Sequence, residues 1–312
     1  MKHTVSLFAC ALPLSLLGCL AGAPDESATD QAATGEVGLT GAPEHLFHGR
    51  DAKPGPAPAA SPLMTFHGGT VLQAAKTMAI FWGSEWSGAT FAGDKITGID
   101  SFFAGYGGST YAAASTEYAG TNGQVTSAST YLGHVLDGSA APRKAPTTSA
   151  AVAEACKITN NAPDPNALYL LFTSTGAGHV SYCAWHSWGT CSNGALVQVA
   201  YMPNIDGLAG CDPTGTLSGT NGHSQGLTAL ANVTAHELAE TITDPRGAGW
   251  FDSSGAENGD KCAWAFSPNN GGSVTFSNGS AWLLQGEWSN AAFTAGTGYP
   301  NRSGQPGCLP LR

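Results

Sequence analysis

Apolar positions follow two rhythms between residues 64 and 312. Short, mainly apolar runs within 72–82 (Thr77-Met-Ala-Ile-Phe-Trp82), at 168–173 and at 196–202 are too short for helices and rich in strand formers, so they predict buried strands. Helical spacing appears at 94–103, where Ile96, Ile99 and Phe103 share a face, and at 147–158, where Val152, Ala155 and Ile158 do. The longest helical pattern covers 224–243. Ser224 is its N-cap, Leu227, Leu230, Leu238 and Thr241 recur along it, and Asp244-Pro245 ends it because a residue before proline avoids the helical region. Gly- and Asn-rich stretches at 120–124, 207–222 and 269–272 read as loops. The expected fold is α+β (mixed α/β): a single domain with a mixed β-sheet, long Gly-rich loops and one long helix.

The segment before this domain reads differently. Residues 1–18 hold one lysine, an apolar run from Val5 through Leu17 and then small residues, the layout of a signal peptide and too short to span a membrane. Leu16-Leu17-Gly18-Cys19 has the form of a bacterial lipobox, with Cys19 the acceptor of a lipid anchor, although Leu17 is larger than that pattern prefers. Plain cleavage at Gly18, Ala21 or Ala23 is the other reading. Residues 19–63, with Lys53-Pro-Gly-Pro-Ala-Pro-Ala-Ala, bury too little to offset their ordering entropy and read as a linker. The chain is thus expected outside the cell or in the envelope, as a secreted protein or an outer-membrane lipoprotein, without a transmembrane span.

Composition narrows the partners. Twelve Lys and Arg against 22 Asp and Glu give a net charge of -10, and no basic run is present, which excludes the footprint of nucleic-acid binding or polybasic membrane attachment. Beyond the targeting segment stand Cys156, Cys183, Cys191, Cys211, Cys262 and Cys308, enough for up to three disulfides whose pairing the sequence leaves open. No C-x-x-C pair suggests a zinc cluster instead.

Chemistry concentrates in the last helical pattern. In His236-Glu237-Leu238-Ala239-Glu240, one turn separates His236 from Glu240, as in the H-E-x-x-H helix that presents two zinc ligands and a Glu that takes a proton from water. Glu stands in place of the second His, and a carboxylate oxygen also ligates zinc. Glu257 and Asp260 follow as further carboxylates in a chain poor in charge. A helix-surface ion pair between His236 and Glu240, followed by an acidic turn, is the plain alternative. Asn232-Val-Thr234 forms a glycosylation sequon, but inside this helix a glycan does not fit.

His67-Gly-Gly, Cys183-Ala-Trp-His186, Val233-Thr-Ala-His236-Glu-Leu-Ala-Glu240-Thr-Ile-Thr-Asp244-Pro245, Trp250 and Glu257-x-x-Asp260-x-Cys262 together resemble, in that order, the EXORDIUM (phosphate-induced protein) family. That family is best known as secreted plant cell-wall proteins linked to growth, with bacterial and fungal relatives, and this chain looks like a bacterial-type member. The resemblance covers about residues 64–312, apart from a poor match at 105–149. It carries His236, Glu237 and Glu240 onto the family's H-E-x-x-E, Glu257, Asp260 and Cys262 onto its E-x-x-D-x-C, and His186 onto its C-x-x-H. His186 then lines a cleft as a donor to a developing oxyanion, or is held by packing between Trp185 and Trp188.

Two function classes follow. One is a zinc metalloendopeptidase acting on an extracellular protein or cell-wall substrate: Zn²⁺ is held by His236, Glu240 and Glu257, with Asp260 also in reach, and Glu237 serves as general base. The other is a non-catalytic, cell-wall-associated binding protein whose eight tryptophans offer flat faces to sugars. Serine or cysteine catalysis lacks a G-x-S-x-G and a free-looking cysteine.

Overall fold

A computed structural model describes residues 40–52, 62–215 and 217–311. The expected signal peptide, Cys19 and the linker residues 19–39 and 53–61 lie outside the described residues.

The three apolar runs form strands of a seven-stranded sheet. Its strands are β1 (Thr40–Gly41), β2 (His45–His48), β3 (Ala75–Trp82), β4 (Ser129–Asp137), β5 (Ala167–Thr173), β6 (Tyr182–Thr190) and β7 (Leu196–Met202). The order is β1-β6-β7-β5-β3-β4, with β2 also on β6. Strands β7, β5, β3 and β4 run parallel to one another, while β6 is antiparallel to β7, and β1 and β2 are antiparallel to β6. The mixed sheet and the α+β class follow the sequence pattern.

Both faces of the sheet are covered, which is why β5 and β7 read as near-continuous apolar runs. The pleat sends Leu168, Leu170 and Phe172 to the core beneath helices α1 (Lys95–Tyr106) and α3 (Gln225–Thr243), and Tyr169 and Leu171 to the core beneath α2 (Thr148–Ile158). Disulfides join Cys156 to Cys191, Cys183 to Cys211 and Cys262 to Cys308, a pattern suited to an oxidising, extracellular environment. Among the described residues no helix is long and apolar enough to cross a membrane.

Three readings need correction. Residues 40–48, assigned to the linker, are part of the sheet: Phe47 is fully buried and Leu46 packs on the opposite core, so one apolar residue per face, with hydrogen bonding to β6, suffices to dock the segment. The stretch 120–124 closes a small hairpin, Ala119–Gly120 against Gly123–Gln124. Six of the eight tryptophans, including Trp185, Trp282 and Trp288, are buried, so they build core and offer no array of sugar-stacking faces.

Candidate functional site

Helix α3 begins at Ser224, whose Oγ accepts from the Leu227 N–H at 3.1 Å, and it stays buried from Leu227 to Thr243. It ends at Asp244, whose Oδ1 accepts from the N–H groups of Ala248 and Gly249, both at 2.8 Å. Its second half lays His236, Glu237 and Glu240 against β6. There the pleat decides the chemistry: Trp185 enters the α2-side core while His186 faces α3, rather than sitting packed between Trp185 and Trp188. Strand β2 pairs in register with β6, setting His45 opposite His186 with the rings stacked at 4.8 Å. The short helix α4 (Asn258–Lys261) brings Glu257 and Asp260 from the other side. Asn232, the sequon residue, is fully buried and accepts from the Gln285 N–H, which leaves no room for a glycan.

Within this nest three groups of donor atoms each lie within 4.8 Å of one another and can hold a metal ion: His45, His186 and Glu257; His186, Glu237 and Glu240; and His236, Glu240 and Asp260. His236 and Glu257, paired as ligands in the sequence reading, fall in different groups. His45, which completes the first group, was missed because it lies in the Pro/Ala-rich stretch; the one available signal was the apolar pair Leu46-Phe47 between two histidines.

Hydrogen bonds distinguish the groups. Gln285 accepts the Trp264 N–H at its Oε1 (3.1 Å), which fixes its amide orientation, and its Nε2 then donates to the Gly259 carbonyl (3.0 Å) and to His236 Nδ1 (2.9 Å). An Nδ1 that accepts leaves the proton of neutral His236 on Nε2. That atom faces Glu240 Oε1 at 3.0 Å and Asp260 Oδ1 at 3.8 Å; like His186 Nε2 it is buried without a hydrogen-bond partner, and a metal there would have to displace its proton while Gln285 keeps donating to Nδ1. Phe47 covers the His236 ring, with centroids 3.7 Å apart.

His186 has the opposite arrangement. Its Nδ1 donates to Glu237 Oε2 at 3.1 Å, with Glu240 Oε2 at 3.5 Å, so Nε2 is the nitrogen a metal would take, in exchange for the proton it carries in the metal-free protein. That Nε2 is buried without a hydrogen-bond partner and lies 3.7 Å from Glu257 Oε2. Both Glu257 oxygens are buried and also lack hydrogen bonds, even though His45 Nδ1 stands 2.7 Å from Oε1. A buried polar atom without a partner costs about 1–3 kcal/mol. Three such atoms facing one another are what a cation relieves, since zinc sites in small domains are worth about 10–16 kcal/mol. Ligand atoms about 2.0–2.2 Å from a tetrahedral zinc stand roughly 3.4 Å apart, the scale of the spacings found here.

Electrostatics agree. Burial, together with the His186 charge, lowers the His45 pKa and favours the neutral, ligating imidazole. Burial pushes the Glu257 carboxyl well up, and the nearby Glu240, Asp244 and Asp260 charges add to this against the pull of His186. Burial opposes charge on His186, but Glu257, Glu237 and Glu240 outweigh it and lift the pKa well above that of an ordinary histidine. Burial likewise raises Glu240, yet His236 and His186 hold its carboxyl below the usual carboxylate range. Without metal, protons therefore share the His186–Glu257 gap. The side chain of His45 is 34% exposed while those of His186 and Glu257 are at most 2%, so the first group opens to solvent on one side.

No family model, no curated protein and no solved structure matches the chain, so the site is read from its own geometry.

Proposed function

We propose that the chain is an exported, zinc-dependent peptidase related to the EXORDIUM proteins, acting on an extracellular protein or cell-wall peptide, with its metal held by His45, His186 and Glu257. The observation that carries this reading is the set of unpartnered polar atoms, His186 Nε2 and both Glu257 oxygens, buried behind the part-exposed His45. Two imidazoles, one carboxylate and one solvent-facing side are the donor set of a catalytic zinc site. Bound there, zinc supplies a Lewis acid for the peptide carbonyl.

The remaining roles fall to the chain's own groups. Glu237 accepts the Nδ1–H of His186 and so fixes which nitrogen is free, a positioning role in place of the general base expected from the H-E-x-x-E pattern. His236 and Glu240 brace the helix side. Asp244 and Glu237 each keep one oxygen without a partner, and of the two it is Asp244 that lines the neighbouring cavity, so the proton transfer is assigned to it. Its Oδ1 is pinned by two backbone N–H groups, its Oδ2 has no partner, and its charge bears on both His45 and Glu257. Oδ2 takes a proton from water as the water oxygen adds to the peptide carbonyl carbon, then passes it to the leaving nitrogen as the C–N bond breaks.

The test is metal content and peptide digestion on untagged, disulfide-bonded protein. One zinc per chain, with cleavage that stops on chelation and returns on adding zinc, supports the reading. Folded protein that takes up no zinc at micromolar concentration contradicts it.

A further inference from the structure

Next to the metal-binding group lies a cavity of about 250 Å³ walled by Gly68, Gly69, Thr70, Thr121, Asp244, Arg246, Ala248 and Gly249. Its two walls are tied together, since Gly69 N–H donates to the Ala248 carbonyl (2.6 Å) and His67 N–H to the Gly249 carbonyl (2.8 Å). The cavity adjoins the site through the loop after α3: a Cβ placed on Gly247 comes within 3.9 Å of His45 Nε2, and Asp244, which lines the cavity, bears electrostatically on His45 and Glu257. Gly68 has φ +91°, a backbone conformation that favours glycine at this wall.

Arg246 is the one cation on the wall. Its Nη2 donates to the Pro165 carbonyl at 3.1 Å and its Nη1 reaches Thr70 Oγ1 at 3.4 Å, while Nε is buried with no partner. Among the described residues no carboxylate lies within ion-pair distance of it, although acids outnumber Lys and Arg 22 to 12 in the chain. Lys76, Lys95, Lys157 and Lys261, by contrast, each pair with an aspartate at 2.6–2.7 Å. A half-buried guanidinium with no counter-ion is a fork waiting for a planar anion, and Arg pairs with carboxylates through two parallel N–H bonds.

We infer that Arg246 binds the terminal carboxylate of a peptide, making the activity that of a carboxypeptidase rather than an endopeptidase. The inference rests on the peptidase reading above and names its substrate class. The cavity is smaller than the ~300–1,000 Å³ of drug-sized sites and has room for about one residue beyond the peptide bond. With its carboxylate on Arg246, the last residue fills the cavity and its peptide bond lies between Asp244 and the His45 edge of the metal group.

The test uses disulfide-bonded, zinc-supplied protein carrying Asp244→Asn to stop turnover, titrated calorimetrically with N-acetyl-dialanine and with its C-terminal amide. The acid should bind at least about tenfold tighter than the amide, the worth of one charge-assisted contact. Arg246→Gln should bring the ratio to about one, and Arg246→Lys should restore part of it. Equal affinities, failure of the acid to bind at millimolar concentration, or a preference that survives Arg246→Gln each overturn the inference. Repeating the titration with chelator separates the two claims. A preference for the acid in a chain that binds no zinc upholds the Arg246 site and sinks the peptidase reading. Zinc-dependent cleavage that treats acid and amide alike does the reverse.

Discussion

Two clusters share one helix and differ in what their nitrogens can do. On the His236 side, Gln285 donates into Nδ1 and Phe47 covers the ring, so the histidine meets Glu240 as a packed, protonated partner. On the His186 side, Glu237 accepts from Nδ1, and the freed Nε2 looks toward Glu257 and His45. Both histidines are buried and both have carboxylates at hand. Both Nε2 atoms lack a hydrogen-bond partner; the difference lies in the neighbour on Nδ1, a donor in one case and an acceptor in the other, which favours His186 as the ligating imidazole.

The largest effect that could break this comparison is on turnover. Asp244→Asn should lower peptide cleavage roughly 10²–10⁴-fold while zinc content stays at the wild-type level. If Glu237→Gln has that effect instead, the helix pattern was the catalytic one after all. For Glu237→Gln the contrast predicts weaker metal binding, by roughly 10–100-fold in zinc affinity measured by competition with a chelating dye, because the group orients a ligand. An unchanged affinity would remove Glu237 from the metal's support.

The smallest effect concerns pH. Burial, with Glu240 beside it, pushes the Asp260 carboxyl up to about 7 from its ordinary 3.8. A carboxyl raised in the folded state contributes stability that is complete below about 3.8 and is lost as pH rises through about 7. Metal-free Asp260→Asn should therefore lose less Tm between pH 4 and 8 than the parent does. It should also keep its zinc; loss of metal in this variant would move the site to His236.

Much of the fold was legible because its signals are local. The runs at 168–173 and 196–202 are buried on both faces and so are apolar apart from Thr173 and Gln198, and Ser224 and Pro245 bracket α3 by backbone chemistry alone. Strand β6 escaped because His186 and Ser187 break its apolar run, the first of them to serve the site. Strand β4 escaped because it is a sheet edge whose residues are exposed or half-buried throughout. Within the site, the H-E-x-x-E spacing located Glu237 and Glu240 but not their roles, which depend on Gln285 and His186, far away in sequence. His45 left only a faint signal: the apolar pair Leu46-Phe47 beside it gives no periodicity, and only pairing with β6 brings it opposite His186.

The most direct measurement is to crystallise the disulfide-bonded chain with zinc and locate the ion from anomalous scattering at the zinc edge. The account predicts a single peak among His45, His186 and Glu257, absent from crystals of His45→Ala. A peak among His236, Glu240 and Asp260, or one that remains in His45→Ala, would contradict it.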